Sequence, residues 1–373
     1  MIQGALFPMA AAINIFSLTS LLIVAGLFGH SELAAHVAII QAAIVAIFLS
    51  LSGNSRSLVL AKKFNEKNLL CFRICVVLPA VSAAIFLIDS TLDIPTYLLY
   101  GLVIRKCSEW FAELQLANRE KHDDFKFAFK YVLLNGLGFV LLFLQLLTPA
   151  GKPYFDYVLF GWAILPLVFL WSYIVPTLQL KMEILDMKEY MPHIGSSSII
   201  GISVYIFRAL IVILLGALLA GQMFTAYALG GVLSSLYVYA FGPTLMHKKG
   251  QGSNKGLLQT TSVCCALGGS VLVLVYVFEI SWYSLNFMYA ISLSLAGGGI
   301  MLVAQHIRLY LLQKCKKDVF VPDALANILL VMLIPFVYYL FGVIAFVWLY
   351  LISAVLHLLI YLPLAKKYLI FRA

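Results

Sequence analysis

Residues 196–219 read SSSIIGISVYIFRALIVILLGALL, a run with one charged side chain, Arg208, and no acid. About 20 apolar residues span the hydrocarbon core of a bilayer, so the run reads as a membrane-crossing helix. A guanidinium near the middle of such a helix is costly if it faces lipid. The position therefore calls for a protein interior or a water-filled cavity. There Arg208 would either bind an anion or pair with an acid from another helix, and the span 94–118 is the nearest source of acids in this reading.

The rest of the chain has the same character. Of 373 residues, 63% are hydrophobic and 11% charged, against about 25% charged in a soluble domain, and the mean hydropathy is +1.01. The net charge of +9 would point to nucleic acid in a soluble protein. Here the bases fall between apolar segments, where they set topology, and no nucleic-acid partner is expected. Twelve segments are long enough to cross: 5–28, 33–60, 69–88, 94–118, 128–148, 155–179, 196–219, 222–246, 257–279, 284–313, 322–341 and 343–364. The expected fold class is an all-α integral membrane protein of about 12 transmembrane helices in two six-helix lobes, residues 1–188 and 189–373.

Charge alternates from loop to loop. Eighteen of the 25 Lys and Arg follow the even-numbered segments, from Lys62 and Lys63 to Lys366, Lys367 and Arg372, whereas the opposite loops hold only Lys152. By the positive-inside rule both termini are cytoplasmic. Tyr154, Phe155, Tyr157, Trp282 and Tyr283 mark the outer interface. The N-terminus lacks the basic n-region and cleavage site of a signal peptide and reads as a retained first helix. The longest polar stretch, 181–198, is too short to fold alone. Six cysteines (71, 75, 107, 264, 265 and 315) show no paired spacing with histidine. Free thiols are expected, with no metal and no cofactor.

Small residues recur every fourth position at two places. Gly29 is followed by Ala34, Ala38, Ala42, Ala46 and Ser50, and Gly221 by Ala226, Gly230, Ser234 and, with Val238 interrupting, Gly242. Four-residue spacing sets each series along one helix face, where small side chains admit close helix approach. Gly29 and Gly221 each open the second helix of a six-helix half, as in a parallel repeat.

The stretch Gly29-His-Ser-Glu-Leu-Ala-Ala-His running to Gly53-Asn54-Ser55-Arg56, and the stretch Tyr205-Ile-Phe-Arg208 with Ala220-Gly221-Gln222, Ala228-Leu229-Gly230-Gly231 and Gly242-Pro243, carry a resemblance. They are similar to polysaccharide-biosynthesis and O-antigen flippases of the multidrug/oligosaccharidyl-lipid/polysaccharide exporter superfamily. The resemblance implies a V-shaped pair of lobes with the first, second, seventh and eighth helices around a central cavity. It implies a multi-pass protein of a bacterial cytoplasmic (inner) membrane that moves a polyprenyl-pyrophosphate-linked oligosaccharide to the outer leaflet. Its partners would be that lipid-linked oligosaccharide, membrane lipids, and a glycan polymerase and glycosyltransferases of the same pathway.

Within the span 94–118, Arg105, Glu109 and Glu113 form one stripe, with Lys106 beside it. Arg105 lies about 14 Å along the helix from Thr96, near the midplane. Two readings stay open: a self-neutralising structural network, or substrate binding by Arg105 and Lys106 with proton coupling at Glu109 or Glu113. Arg56 either snorkels to the interface or meets a pyrophosphate head group. Arg308 reads as topological. Asn14, Ser17, His36 and Gln41 lie on the helices that the resemblance sets around the cavity. Asn14 and Gln41 join Arg208, Arg105, Lys106 and Arg56 as candidate substrate contacts suited to sugar hydroxyls.

A multidrug or organic-cation antiporter of the same superfamily is the second reading; it calls for unpaired acids in the cavity. A membrane glycan polymerase or acyltransferase is the third; it calls for a sizeable outer loop. No GxxxxGK[ST] loop is present, so no ATP-driven step by this chain is expected. The topology carries its own test. A reporter fused after Lys366 should read cytoplasmic and one inserted beside Lys152 external; the reverse pattern would overturn both the orientation and the division into halves.

Overall fold

The structure, a computed structural model, describes residues 2–52, 55–60, 65–89, 93–147, 154–178, 187–238, 263, 266, 270, 285–313 and 319–370. Among these every regular element is a helix. They are α1 (Ile2–Leu27), α2 (Ser31–Ile44, continuing through a π-helical turn at Val45–Leu49 to Ser50–Ser52), α3 (Ser55–Leu60), α4 (Glu66–Asp89), α5 (Thr96–Lys121), α6 (Phe125–Leu147), α7 (Phe155–Leu178), α8 (Met187–Leu236), α9 (Leu285–Gln313), α10 (Phe320–Phe341) and α11 (Ile344–Ile370). Nine helices among the described residues are long and apolar enough to cross a membrane, with the Ser197–Leu236 part of α8 counted once. The fold is therefore that of an all-α, multi-pass membrane protein. The expected span at 257–279, the Gly53–Asn54 and Gly242–Pro243 motifs, Lys152 and most of the loop lysines lie outside the described residues.

The chain divides into two compact units. One comprises Met1–Phe28 and His36–Tyr205, the other Gly29–Ala35 and Ile206–Ala373. In the first, α5 is the hub, packed against α1, α3, α4, α6 and α7. Pro95 precedes its first residue and accepts the amide of Leu98 at 2.9 Å. At its other end the chain turns through Asp123, whose φ is +52°, and Asp124 caps α6 by accepting the amide of Phe127 at 3.1 Å. The π-helical turn in α2 offsets the carbonyl ladder. Ser50 donates to the Ala46 carbonyl and Ser52 to that of Phe48 at 2.6 Å, so serines satisfy carbonyls around the wide turn.

In the second unit α8 is not one straight rod. Gly216 sits at φ +75°, ψ 165°, a conformation open to glycine and strained for other residues. Phe207 lies 6.2 Å from Tyr227 between ring centroids, and Arg208 lies 5.8 Å from the Phe224 ring. Separated by twenty and sixteen positions, those residues would stand about 30 and 24 Å apart along a straight helix. The chain therefore folds back at Gly216, and α8 is a helical hairpin. The sequence reading set this boundary between residues 219 and 222; the structure moves it back to Gly216. Beyond the turn, α8 crosses α9 at Gly230 and Gly298. A Cβ on either would run into backbone, the Ser294 carbonyl for Gly230 and the Gly230 carbonyl for Gly298. α9 in turn packs along α11, and α10 against α11.

Gly230→Leu should force these two helices apart, costing about 1–3 kcal/mol or more. In thermal-stability profiles of the detergent-purified protein, Gly230→Leu should melt well below wild type and Gly136→Leu, which meets open space, should not. Equal melting of the two variants would contradict the close crossing.

Candidate functional site: a buried charge network

The candidate site is built on α5. Arg105, Glu109, Glu113 and Glu120 fall at four- and seven-residue spacing and share one face. Each acid is met by a base. Glu109 is 1% exposed; its Oε1 accepts Arg105 Nε at 3.0 Å and the Ser17 hydroxyl, and its Oε2 accepts Lys106 Nζ at 3.2 Å. Glu113 accepts Arg73 Nη2 from α4 at 2.9 Å and the Arg56 backbone amide at 3.2 Å. Glu120 accepts Arg56 Nη2 from α3 at 2.8 Å and Nε at 3.2 Å. Among the described residues four bases thus face three acids, and Lys106 is the most exposed of the four.

Arg105 and Arg73 make further contacts. Arg105 is fully buried, donates to the Trp162 carbonyl of α7 at 3.2 Å, and lies 4.3 Å from the Trp162 ring. Ser108, one turn on, donates to the neighbouring Ala163 carbonyl at 2.7 Å. Arg73 donates to the Trp110 carbonyl and to Ser55 Oγ at 2.6 Å, with its guanidinium 4.8 Å from the Trp110 ring. Such cation–π contacts are worth about 2 kcal/mol or more when desolvated. Asn14 of α1 donates to the Glu109 carbonyl at 3.0 Å and accepts the Tyr131 hydroxyl of α6. Trp110 Nε1 donates to Ser52, whose carbonyl accepts Tyr190 at 2.8 Å.

The structure thus brings together Arg105, Lys106, Glu109 and Asn14, and one turn on it joins Glu113 and Arg56. Gln41 donates to Thr19 at 2.7 Å. Arg208 belongs to the second unit, half-buried against Phe224. Two expectations are corrected. Arg56 does not snorkel, because it is 3% exposed and bound to Glu120. Arg308 is not a loop-type topological charge. Its Nε donates to Asp323 Oδ1 at 2.8 Å and its Nη2 to Oδ2, and Asp323 is fully buried.

Arg73, Asp323 and Tyr361 were absent from the sequence-based site. Arg73 carried a usable signal: like Arg208, it is a base in an apolar span without an acid of its own. A further regularity emerges. Arg119 near the end of α5 binds Asp124 at 3.3 Å and lies 4.9 Å from the Tyr173 ring of α7. Arg308 near the end of α9 binds Asp323 of α10, which also accepts the Tyr361 hydroxyl of α11. Among the described residues no group of His, Cys, Asp and Glu could hold a metal ion, and Cys71, Cys75 and Cys107 are free thiols. Comparison with protein-family models, with curated proteins and with solved structures gives no match to this chain.

Removing one member of a buried pair strands the other charge, typically at about 3–5 kcal/mol. Arg105→Ala and Glu109→Ala should each cost that much in detergent melting curves. The double variant should cost less than the two losses together. Strict additivity would show that the pair is not energetically coupled.

Proposed function

We propose that the chain is a flippase that carries a polyprenyl-pyrophosphate-linked oligosaccharide across a bacterial cytoplasmic membrane by alternating access, for export of a surface polysaccharide. The observation that carries this reading is the occupation of three acids inside the helices; Glu66, buried at the start of α4, makes no ion pair among the described residues. Glu109, Glu113 and Asp323 each hold an arginine already, so none offers the open carboxylate that an organic-cation antiporter would need. Among the described ion pairs, the α5 network holds one more base than acid. Such a balance suits a membrane protein that handles an anionic head group better than one that extrudes cations.

The same proposal takes the chain as twelve crossings in two repeats. Counting α8 as two, and adding α5 and the segment 257–279, brings the nine apolar helices to that number. The recurring Arg–Asp–Tyr trio supports the repeat. In each half an arginine near the end of the fourth crossing binds an aspartate at the start of the fifth; a tyrosine ring of the sixth lies against the arginine in the first half, and a tyrosine hydroxyl of the sixth donates to the aspartate in the second. Both termini are cytoplasmic in this reading. Arg208 is the residue assigned to the pyrophosphate, because a guanidinium offers a planar fork matched to phosphate oxygens. Arg105, Lys106, Glu109 and Glu113 are assigned to the scaffold that holds the first half together.

Translocation of a fluorescent lipid-linked oligosaccharide in proteoliposomes tests the proposal. Wild type should flip it. Arg208→Ala should abolish flipping at unchanged membrane abundance, Arg208→Lys should retain part of it, and Arg208→Glu none. Full flipping by a well-inserted Arg208→Ala protein would remove Arg208 from the site. Proton-driven ethidium export with no glycolipid movement would replace the flippase by the antiporter.

A further inference from the structure

α6 has two faces. Phe127, Ala128, Tyr131, Asn135, Gly138 and Leu142 are buried, on a helix that packs against α1 and α7. The opposite face exposes Phe129, Leu133, Leu137, Val140, Leu141 and Leu144, each 46–58% exposed. At 100° per residue these lie within a sector of about 120° and run for about 22 Å along the axis. In a membrane protein such a face meets acyl chains. Lys126 and Lys130 are exposed in the same sector, one turn apart at the start of the helix.

α6 has 23 residues, about 35 Å of helix, against a hydrocarbon core of about 30 Å. Lys126 therefore sits at the edge of the core and Lys130 about 6 Å deeper. An ammonium there is costly unless its stem carries it up to a polar partner. Neither lysine has a carboxylate within ion-pair distance among the described residues. The nearest acid along the chain with a described partner, Asp124, is taken by Arg119 and by the Phe127 amide. Asp123, Lys121 and His122 are exposed in the preceding turn, where the bases outnumber the acid.

We infer that Lys126 and Lys130 bind the phosphodiester of an anionic glycerophospholipid, whose acyl chains lie along the exposed stripe from Phe129 to Leu144. Charge complementarity selects the lipid: two lysines one turn apart, offset by about 6 Å along the axis, bracket one phosphate, and the stripe below supplies the apolar contact. α10 is an internal contrast. It exposes Val321, Leu325, Met332, Phe336 and Tyr339 yet carries no Lys or Arg, so the lipid along it is not selected by head group. The inference stands whether or not the chain is a flippase.

The test is native mass spectrometry of the full-length, delipidated protein titrated with phosphatidylglycerol or phosphatidylcholine. Each lysine near the membrane surface is worth about 1 kcal/mol toward an anionic lipid, so wild type should prefer phosphatidylglycerol by about tenfold or more. Added salt should erode that preference. The double variant Lys126→Gln/Lys130→Gln should bind both lipids alike, and Lys126→Arg/Lys130→Arg should keep the preference. An unchanged preference in the glutamine variant overturns the site. Displacement of the lipid by inorganic phosphate at equal concentration overturns the lipid assignment. Should the glutamine variant fail to fold, a wild-type preference indifferent to salt overturns it as well.

Discussion

A charge in a bilayer has no water to turn to, and α5 carries its charges on one narrow face. That constraint organises the first unit. Glu109, Glu113 and Glu120 need donors, and their own helix supplies only Arg105 and Lys106. The remainder comes from α4 through Arg73, from α3 through Arg56 and from α1 through Ser17. Each contact fixes the register of a different helix against α5. A slip of one turn, about 5.4 Å, would break an ion pair in a medium where breaking one is expensive. Apolar packing alone is less selective, because lipid tails are as apolar as leucine.

Among its described residues the second unit shows one ion pair. Its bidentate Arg308–Asp323 pair is satisfied within α9 and α10, with Tyr361 closing it from α11. The remaining order comes from close crossings. At Gly230 and Gly298 the backbones of α8 and α9 meet with no room for a side chain, which is how helices associate where no hydrophobic drive separates them from lipid. Tyr227 and Tyr350 stack beside this crossing at 5.9 Å, and Tyr227 donates to the Phe346 carbonyl.

The spans were legible in the sequence because length and hydropathy are local properties. Most described ends fall within a few residues of the expected ones. α5 was also legible, as the helix whose charges lower its hydropathy and share a stripe. What was not legible is tertiary. That Glu113 meets Arg73 depends on which helix α5 lies against, and no spacing encodes it. The hairpin turn illustrates the same limit. Gly216 and Gly221 are both glycines at the end of an apolar run, but only Gly216 has a positive φ. Gly221 is glycine for another reason, since a Cβ there would strike the Ser31 carbonyl. A turn glycine and a contact glycine look alike until the backbone is seen. Arg56 and Arg308 were misread for a similar reason: near a helix end, snorkelling and pairing have the same sequence signature.

The strength of the α5 network bears on how a carrier built this way would move. Separating a buried arginine from its carboxylate leaves both charges poorly solvated, and Arg56 links two of the carboxylates. Glu113 holds both Arg73 and the Arg56 amide, while Arg56 also holds Glu120. The network therefore links α1, α3, α4 and α5 into one cluster. Deformation belongs where backbone bonds are already displaced or few, at the π-helical turn Val45–Leu49 and at the Gly216 hairpin. Neither segment carries a charged side chain. A charge-locked helix cluster joined to irregular backbone divides the chain into what holds shape and what can change it, and places the cost of the buried charges in the part that must not bend.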